Sequence, residues 1–110
     1  MNWVNSSIFY HIYPLGFCGA PMTNDNGETI DRILKVKEWI PHFLELGINA
    51  LYLGPVFESS EHGYDTKDYF KIDRRSGSNE AFKEVCEACH EAGIRIVLDG
   101  VFNHVGREFW

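Results

Sequence analysis

The chain is short of positive charge. Ten Lys and Arg stand against sixteen Asp and Glu among 110 residues, a formal net charge of −6. That balance excludes a nucleic-acid backbone or an anionic lipid surface as the main partner. No stretch approaches the roughly 20 consecutive apolar residues of a membrane span, so no transmembrane helix is expected. The opening "MNWVNSSIFYHIYP" lacks a basic region followed by an apolar run, so no secretory signal is expected either. Cysteine is scarce and odd in number, three in all, which excludes a disulfide framework and points to reduced thiols in the cytoplasm. There is no low-complexity tract. What remains is 45% hydrophobic and 15% aromatic, enough for the core of a single small domain.

Three short apolar runs read as strands. Ile8 to Tyr13 is aromatic and β-branched and is stopped by Pro14. Ala50 to Leu53 is stopped by Gly54-Pro55, and Ile94 to Leu98 ends at Asp99. Apolar residues on both faces of so short a run suit a parallel sheet. Two helical patterns separate them. From Ile30 to Leu46, the residues Ile33, Val36, Ile40, Phe43 and Leu44 keep a helical spacing up to Gly47. Pro41 inside that pattern should kink the helix or split it in two. The second helix runs from about Asn79 to Ala92, capped by Ser78 or Asn79, with Glu80 in its first turn. Its inner face is Phe82, Val85, Cys86 and Cys89, and Gly93 ends it.

The order is β-α-β-α-β, an α/β arrangement of parallel strands joined by right-handed crossovers. Helix-to-strand links are one or two residues long, whereas the strand-to-helix links, Pro14 to Thr29 and Gly54 to Ser78, are long. In such folds the long links at the carboxyl ends of the strands carry the chemistry.

Two segments there hold candidate site residues. Asp99, Asn103 and His104 fall within six residues at the end of an apolar strand. They could converge on a polar ligand such as a sugar, help to hold a hard cation, or cap a turn through their own backbone. The strand-end location favours a ligand. In the second long link, "EHGYDTKDY" (61–69) offers Tyr64 as a flat apolar face for a sugar ring and Asp65 as an acceptor of two hydrogen bonds. The bland reading is a solvated loop pinned by a tyrosine. His62 and Asp65 form a metal pair only if a third ligand joins them. Cys86-Glu87-Ala88-Cys89-His90 matches the C-x-x-C-H of covalent haem attachment and half of a zinc site. Without an export signal or a second cysteine pair, the helical spacing makes both thiols small core residues. His11, inside a strand, reads as scaffold, and His42, beside Pro41, as surface.

The motifs are more telling together. "DGVFNH" (99–104) resembles the first signature region of the α-amylase family of glycoside hydrolases. "HGYDTKDYFKID" (62–73) is similar to that family's loop after its second strand, "IFYHIYPLGF" (8–17) to its first strand, and "ELGINALYLGPVFES" (45–59) to the passage between its first helix and second strand. The wording of "GPVFESSEHGYDTKDY" and "FNHVGREFW" is similar to the cyclomaltodextrinase and neopullulanase branch. The resemblance implies a (β/α)8 TIM barrel, of which residues 1–110 would be a single N-terminal piece with the first three parallel strands and two helices. It implies that Tyr64 stacks on the sugar before the scissile bond, that Asp65 is a structural carboxylate beside it, that Asp99 orients the floor of the site, and that His104 bonds sugar hydroxyls. Calcium is the cofactor it brings in, at Asn103, in those members with a calcium site.

Retaining glycoside hydrolysis needs two carboxylates about 5–5.5 Å apart. The resemblance puts the catalytic carboxylates on later strands, so none is assigned here. The expected function is therefore part of the sugar-binding site of a retaining α-glucan hydrolase or transglycosidase, for which starch, maltodextrin or cyclodextrin is the substrate. The rival is a non-catalytic carbohydrate- or partner-binding module on the same scaffold.

Three strands leave two sheet edges unpaired. The 110-residue chain is therefore expected to self-associate through those edges or to be only marginally stable. Light scattering and thermal melting check this, and a strictly monomeric, highly stable chain would count against it.

Overall fold

A computed structural model describes residues 3–109; Met1, Asn2 and Trp110, at the ends of quoted motifs, lie outside the described residues. After a 3-10 turn at Trp3–Ser6, the elements are β1 (Phe9–Ile12), α1 (Pro14–Phe17), a 3-10 turn at Arg32–Leu34, α2 (Lys35–Glu38), α3 (Ile40–Glu45), β2 (Ala50–Leu53), β3 (Phe57–Ser59), β4 (Thr66–Ile72), α4 (Asn79–Glu91) and β5 (Arg95–Leu98). The expected strands and the β-α-β-α-β order are present. β1, β2 and β5 form one parallel sheet in the order β1-β2-β5.

The register of this sheet positions the site. Ile12, Leu53 and Leu98 lie side by side. The ladder runs one residue further, since the Gly54 amide donates to the Ile12 carbonyl (2.8 Å) and the Asp99 amide to the Leu53 carbonyl (3.0 Å). Tyr13, Gly54 and Asp99 thus leave the sheet at a common rim. Behind it the central strand is sealed: Ala50, Leu51 and Leu53 are buried together with Ile12, Ile33, Val36, Phe43, Val85, Cys89 and Ile94.

The helices differ in detail from the sequence pattern. The expected first helix is split, as Pro41 predicts. α2 stops at Glu38, the Trp39 amide turns back to Val36 (3.1 Å), and α3 restarts with Pro41 in its first turn, where no amide is needed. Ile33, Val36 and Phe43 face the core, but Leu44 is half exposed, because the break rotates the second segment. α4 is capped by Ser78, whose hydroxyl accepts from the Ala81 amide (3.0 Å). Its buried face is Ala81, Val85 and Cys89, with Phe82 and Cys86 only partly covered at the margin. Gly93, at φ +81°, ends it in a left-handed turn.

The link from Gly54 to Ser78 is not a loop, as the spacing suggested, but an antiparallel hairpin of β3 and β4. It is held by buried charge. The Glu58 carboxylate is 2% exposed. It accepts from the Asn24 amide (2.9 Å), the Arg74 backbone amide (2.9 Å) and Arg74 Nε (2.8 Å), with Lys71 Nζ 3.3 Å away. Beside it Arg75, 4% exposed, meets Asp73 through Nε (2.9 Å) and a terminal nitrogen (2.8 Å). The guanidinium also donates to the carbonyls of Pro21 (3.0 Å), Met22 (3.1 Å) and Glu61 (2.7 Å) and to the Ser59 hydroxyl (3.1 Å). One cation thus ties both long links together, and its fork is filled, which a buried charge requires.

Burial alone would push the Glu58 carboxyl up, but the bonds from Arg74 and Asn24 and the Lys71 ammonium outweigh it and hold the group below its ordinary value of 4.5. A depressed carboxyl stabilises the fold above its unfolded value, and that stability is lost as pH falls through the folded value. Glu58→Gln is therefore expected to cost about 1–3 kcal/mol at pH 7. The deficit should shrink once pH drops below 4.5. Urea denaturation of both proteins at neutral and acid pH checks this.

Candidate functional site

The rim carries an open depression of about 470 Å³ lined by Tyr64, Asp99, Gly100, Val101, Phe102, Asn103 and His104. Residues 64 and 104, far apart in the chain, thus line one hollow. Tyr64 arrives from the turn between β3 and β4. Gly63 makes that turn possible, with φ at +101° and a position where a Cβ would stand 3.0 Å from Pro55 Cβ. Asp65 holds the turn closed: one carboxylate oxygen accepts from the Glu61 amide (2.9 Å) and the other from the Gly63 amide (3.1 Å). Tyr13 anchors it from the rim by donating to the His62 carbonyl (2.6 Å).

The Tyr64 hydroxyl donates to Asp99 Oδ2 at 2.9 Å. This bond joins the loop to the strand end. It keeps the phenol proton in place, and with the nearby carboxylate charge and slight burial it raises the Tyr64 pKa above 10.0. The ring stays partly exposed and presents an apolar face beside a carboxylate, a pairing suited to a polyol ring. His104 and Asn103 are exposed. The His104 Nδ1 lies 2.8 Å from Asn103 Oδ1. An amide oxygen only accepts, so Nδ1 carries the proton, and in the neutral ring Nε2 is left as an acceptor for a ligand hydroxyl.

The other expectations can be placed one by one. Asp65 lies beside Tyr64, with both oxygens engaged on backbone amides. His62 Nδ1 accepts from the Tyr64 amide (3.2 Å) and stands 3.6 Å from Asp65. Among the described residues no group of three or more His, Cys, Asp or Glu is arranged to hold a metal. Asn103 is exposed at the rim, with its amide oxygen toward His104 Nδ1. Cys86 and Cys89 are free thiols on α4, partly and fully buried; burial pushes the Cys89 thiol up to about 11 and, at α1, Cys18 likewise to about 11. His11 is exposed with its ring edge-on to Tyr52, and His42 is exposed against Trp39. No helix of the described residues is long and apolar enough to cross a membrane.

Sequence reasoning missed the supports: Arg75 under the turn, Tyr13 on the rim, and Tyr69, whose hydroxyl bonds the Val101 carbonyl. The aromatic Tyr69-Phe70 pair inside "TKDYFKI" was the available signal for a strand there.

With this geometry established, comparison with known proteins decides the family. The profile of the alpha-amylase family, described as alpha amylase, catalytic domain, matches residues 12–110. The chain belongs to the α-amylase family. Among its curated relatives is a cyclomaltodextrinase from Bacillus sp, 38% identical over 97% of this chain and 22% of that protein. Another is the intracellular maltogenic amylase of Bacillus subtilis, 35% identical over 96% of this chain and 20% of that protein. Among solved structures, the cyclic α-maltosyl-(1→6)-maltose hydrolase of Arthrobacter globiformis, in complex with cyclic α-maltosyl-(1→6)-maltose, superposes with a TM-score of 0.82 at 36% identity, over 99% of this chain and 28% of that one. The isomaltulose synthase SmuA of Protaminobacter rubrum gives 0.81 at 28% identity, over 99% of this chain and 19% of that one. The chain thus spans about a fifth of the length of the curated relatives it matches. Its sheet is a portion of the TIM barrel of this α-amylase family, and the resemblance to the cyclomaltodextrinase branch is borne out.

The Tyr64–Asp99 bond makes a direct prediction. In Asp99→Asn the anion that raises the phenol is gone, so the Tyr64 pKa should fall back toward 10.0. Titration of the Tyr64 ring signals by NMR measures it.

Proposed function

We propose that this α-amylase-family chain contributes part of the sugar-binding cleft of a retaining α-glucan hydrolase or transglycosidase acting on starch, maltodextrin or cyclodextrin. The observation that carries the reading is the Tyr64–Asp99 hydrogen bond, which sets an aromatic face against a strand-end carboxylate beside His104. In this reading the Tyr64 ring lies under a glucose unit. Asp99 holds the phenol and accepts from sugar hydroxyls through its remaining lone pairs, and His104 Nε2 accepts from another hydroxyl. The likeness to a hydrolase that carries a cyclic maltosyl-maltose supports the substrate class.

The catalytic carboxylates lie outside this chain. In this reading Asp65, engaged on two amides, holds the turn, and Asp99, engaged on a phenol, binds and orients. The reading extends to a cytoplasmic setting, supported by a relative named intracellular maltogenic amylase.

The test is titration of the chain with maltotriose. Weak binding is expected, and Tyr64→Ala should weaken it about 3- to 10-fold, the range of a lost aromatic contact. No release of glucose or maltose from maltodextrin is expected. Turnover by the 110-residue chain would overturn the assignment of the catalytic groups elsewhere.

A further inference from the structure

The segment from Gly100 to Val105 has no regular secondary structure, yet it carries Asn103 and His104. Its flanks are tied down: the Asp99 amide donates to the Leu53 carbonyl (3.0 Å) and the Gly106 amide to the Thr66 carbonyl (2.7 Å). Val101, at its start, is buried (7% exposed), and the side chain of Tyr69 on β4 hydrogen-bonds to the segment. The phenol hydroxyl donates to the Val101 carbonyl and lies 3.4 Å from the His104 carbonyl. The ring packs on Phe102 at 5.7 Å between centroids, with Phe57 at 5.7 Å and Phe109 at 5.9 Å around it.

We propose that Tyr69 is a positioning residue for the candidate sugar site: its hydroxyl sets the path of residues 101–104 and so fixes where the His104 ring stands relative to Tyr64 and Asp99. The proposal rests on the sugar-cleft reading for its functional meaning, but its geometry is independent of it. Phe102 is 79% exposed, so burial of its own ring does not hold this segment in place. A phenylalanine at 69 would stack as well as tyrosine does. The hydroxyl directed at the segment's own carbonyls is what a simple packing role leaves unexplained. With its proton on the Val101 carbonyl and its oxygen near the His104 carbonyl, the phenol keeps this backbone on the β4 side, while the Asn103 and His104 residues line the open rim.

The experiment is Tyr69→Phe in the full chain, with Tyr10→Phe as control. Tyr10 packs on Phe43, away from the segment, and reports what loss of a tyrosine hydroxyl does in general. Backbone 15N order parameters for Phe102 to Val105 are expected to fall from about 0.85 to below about 0.6 in Tyr69→Phe, while β1, β2 and β5 stay rigid. The Nδ1–H tautomer signature of His104 should fade with them, and the maltotriose dissociation constant should rise about 3- to 10-fold, as expected for one lost neutral hydrogen bond. Tyr10→Phe should change none of these. Unchanged order parameters in Tyr69→Phe, or equal loosening in both variants, would overturn the proposal. If the unmodified chain takes up no maltotriose, it is the sugar reading that falls. The order parameters alone then uphold or overturn the role of Tyr69.

Discussion

Parallel pairing of β1, β2 and β5 is the constraint on which the site depends. Parallel strands send all their carboxyl ends the same way, and the in-register ladder places Ile12, Leu53 and Leu98 level with one another. Whatever follows each strand must emerge at one rim. Tyr13, Gly54 and Asp99 do so, and the segments behind them meet there without further instruction. An antiparallel neighbour would have sent one of these links to the opposite end of the sheet.

A common rim brings segments near each other but does not shape them. Shape comes from polar groups sealed beneath the rim. Arg75 reaches carbonyls of two separate links, and Asp65 closes its own turn with both oxygens. Apolar packing would have covered these links equally well. It would not have set the direction of the turn, because only hydrogen bonds discriminate among backbone paths of similar compactness. The result is a rim on which the backbone of Tyr64 is fixed by groups lying beneath it or beside it in the turn.

The sheet and helix α4 were legible because their signals are local. An apolar run ending at Asp99, a Ser78 cap and a Gly93 stop each read from a few neighbouring residues. The rim residues were legible as well, since a cluster of Asp, Asn and His is conspicuous after "RIVL". The hairpin was not. β4 buries Lys67 and places Lys71 beside Glu58, so the alternation that marks a strand is broken by charge. The groups that meet those ammoniums, the Asn26 amide oxygen and the Glu58 and Glu108 carboxylates, lie far away in sequence. Arg75 has its partners in distant links as well, so nothing near it in the sequence marked it, and Leu44 looked like core from the helical spacing but is half exposed.

The C-x-x-C-H stretch has a consequence of its own. With the Cys89 thiol at about 11, only about one molecule in ten thousand carries the reactive thiolate there at neutral pH. Cys18 is equally unreactive. Electrophiles and oxidants therefore find little thiolate at Cys18 and Cys89, where burial disfavours the charge.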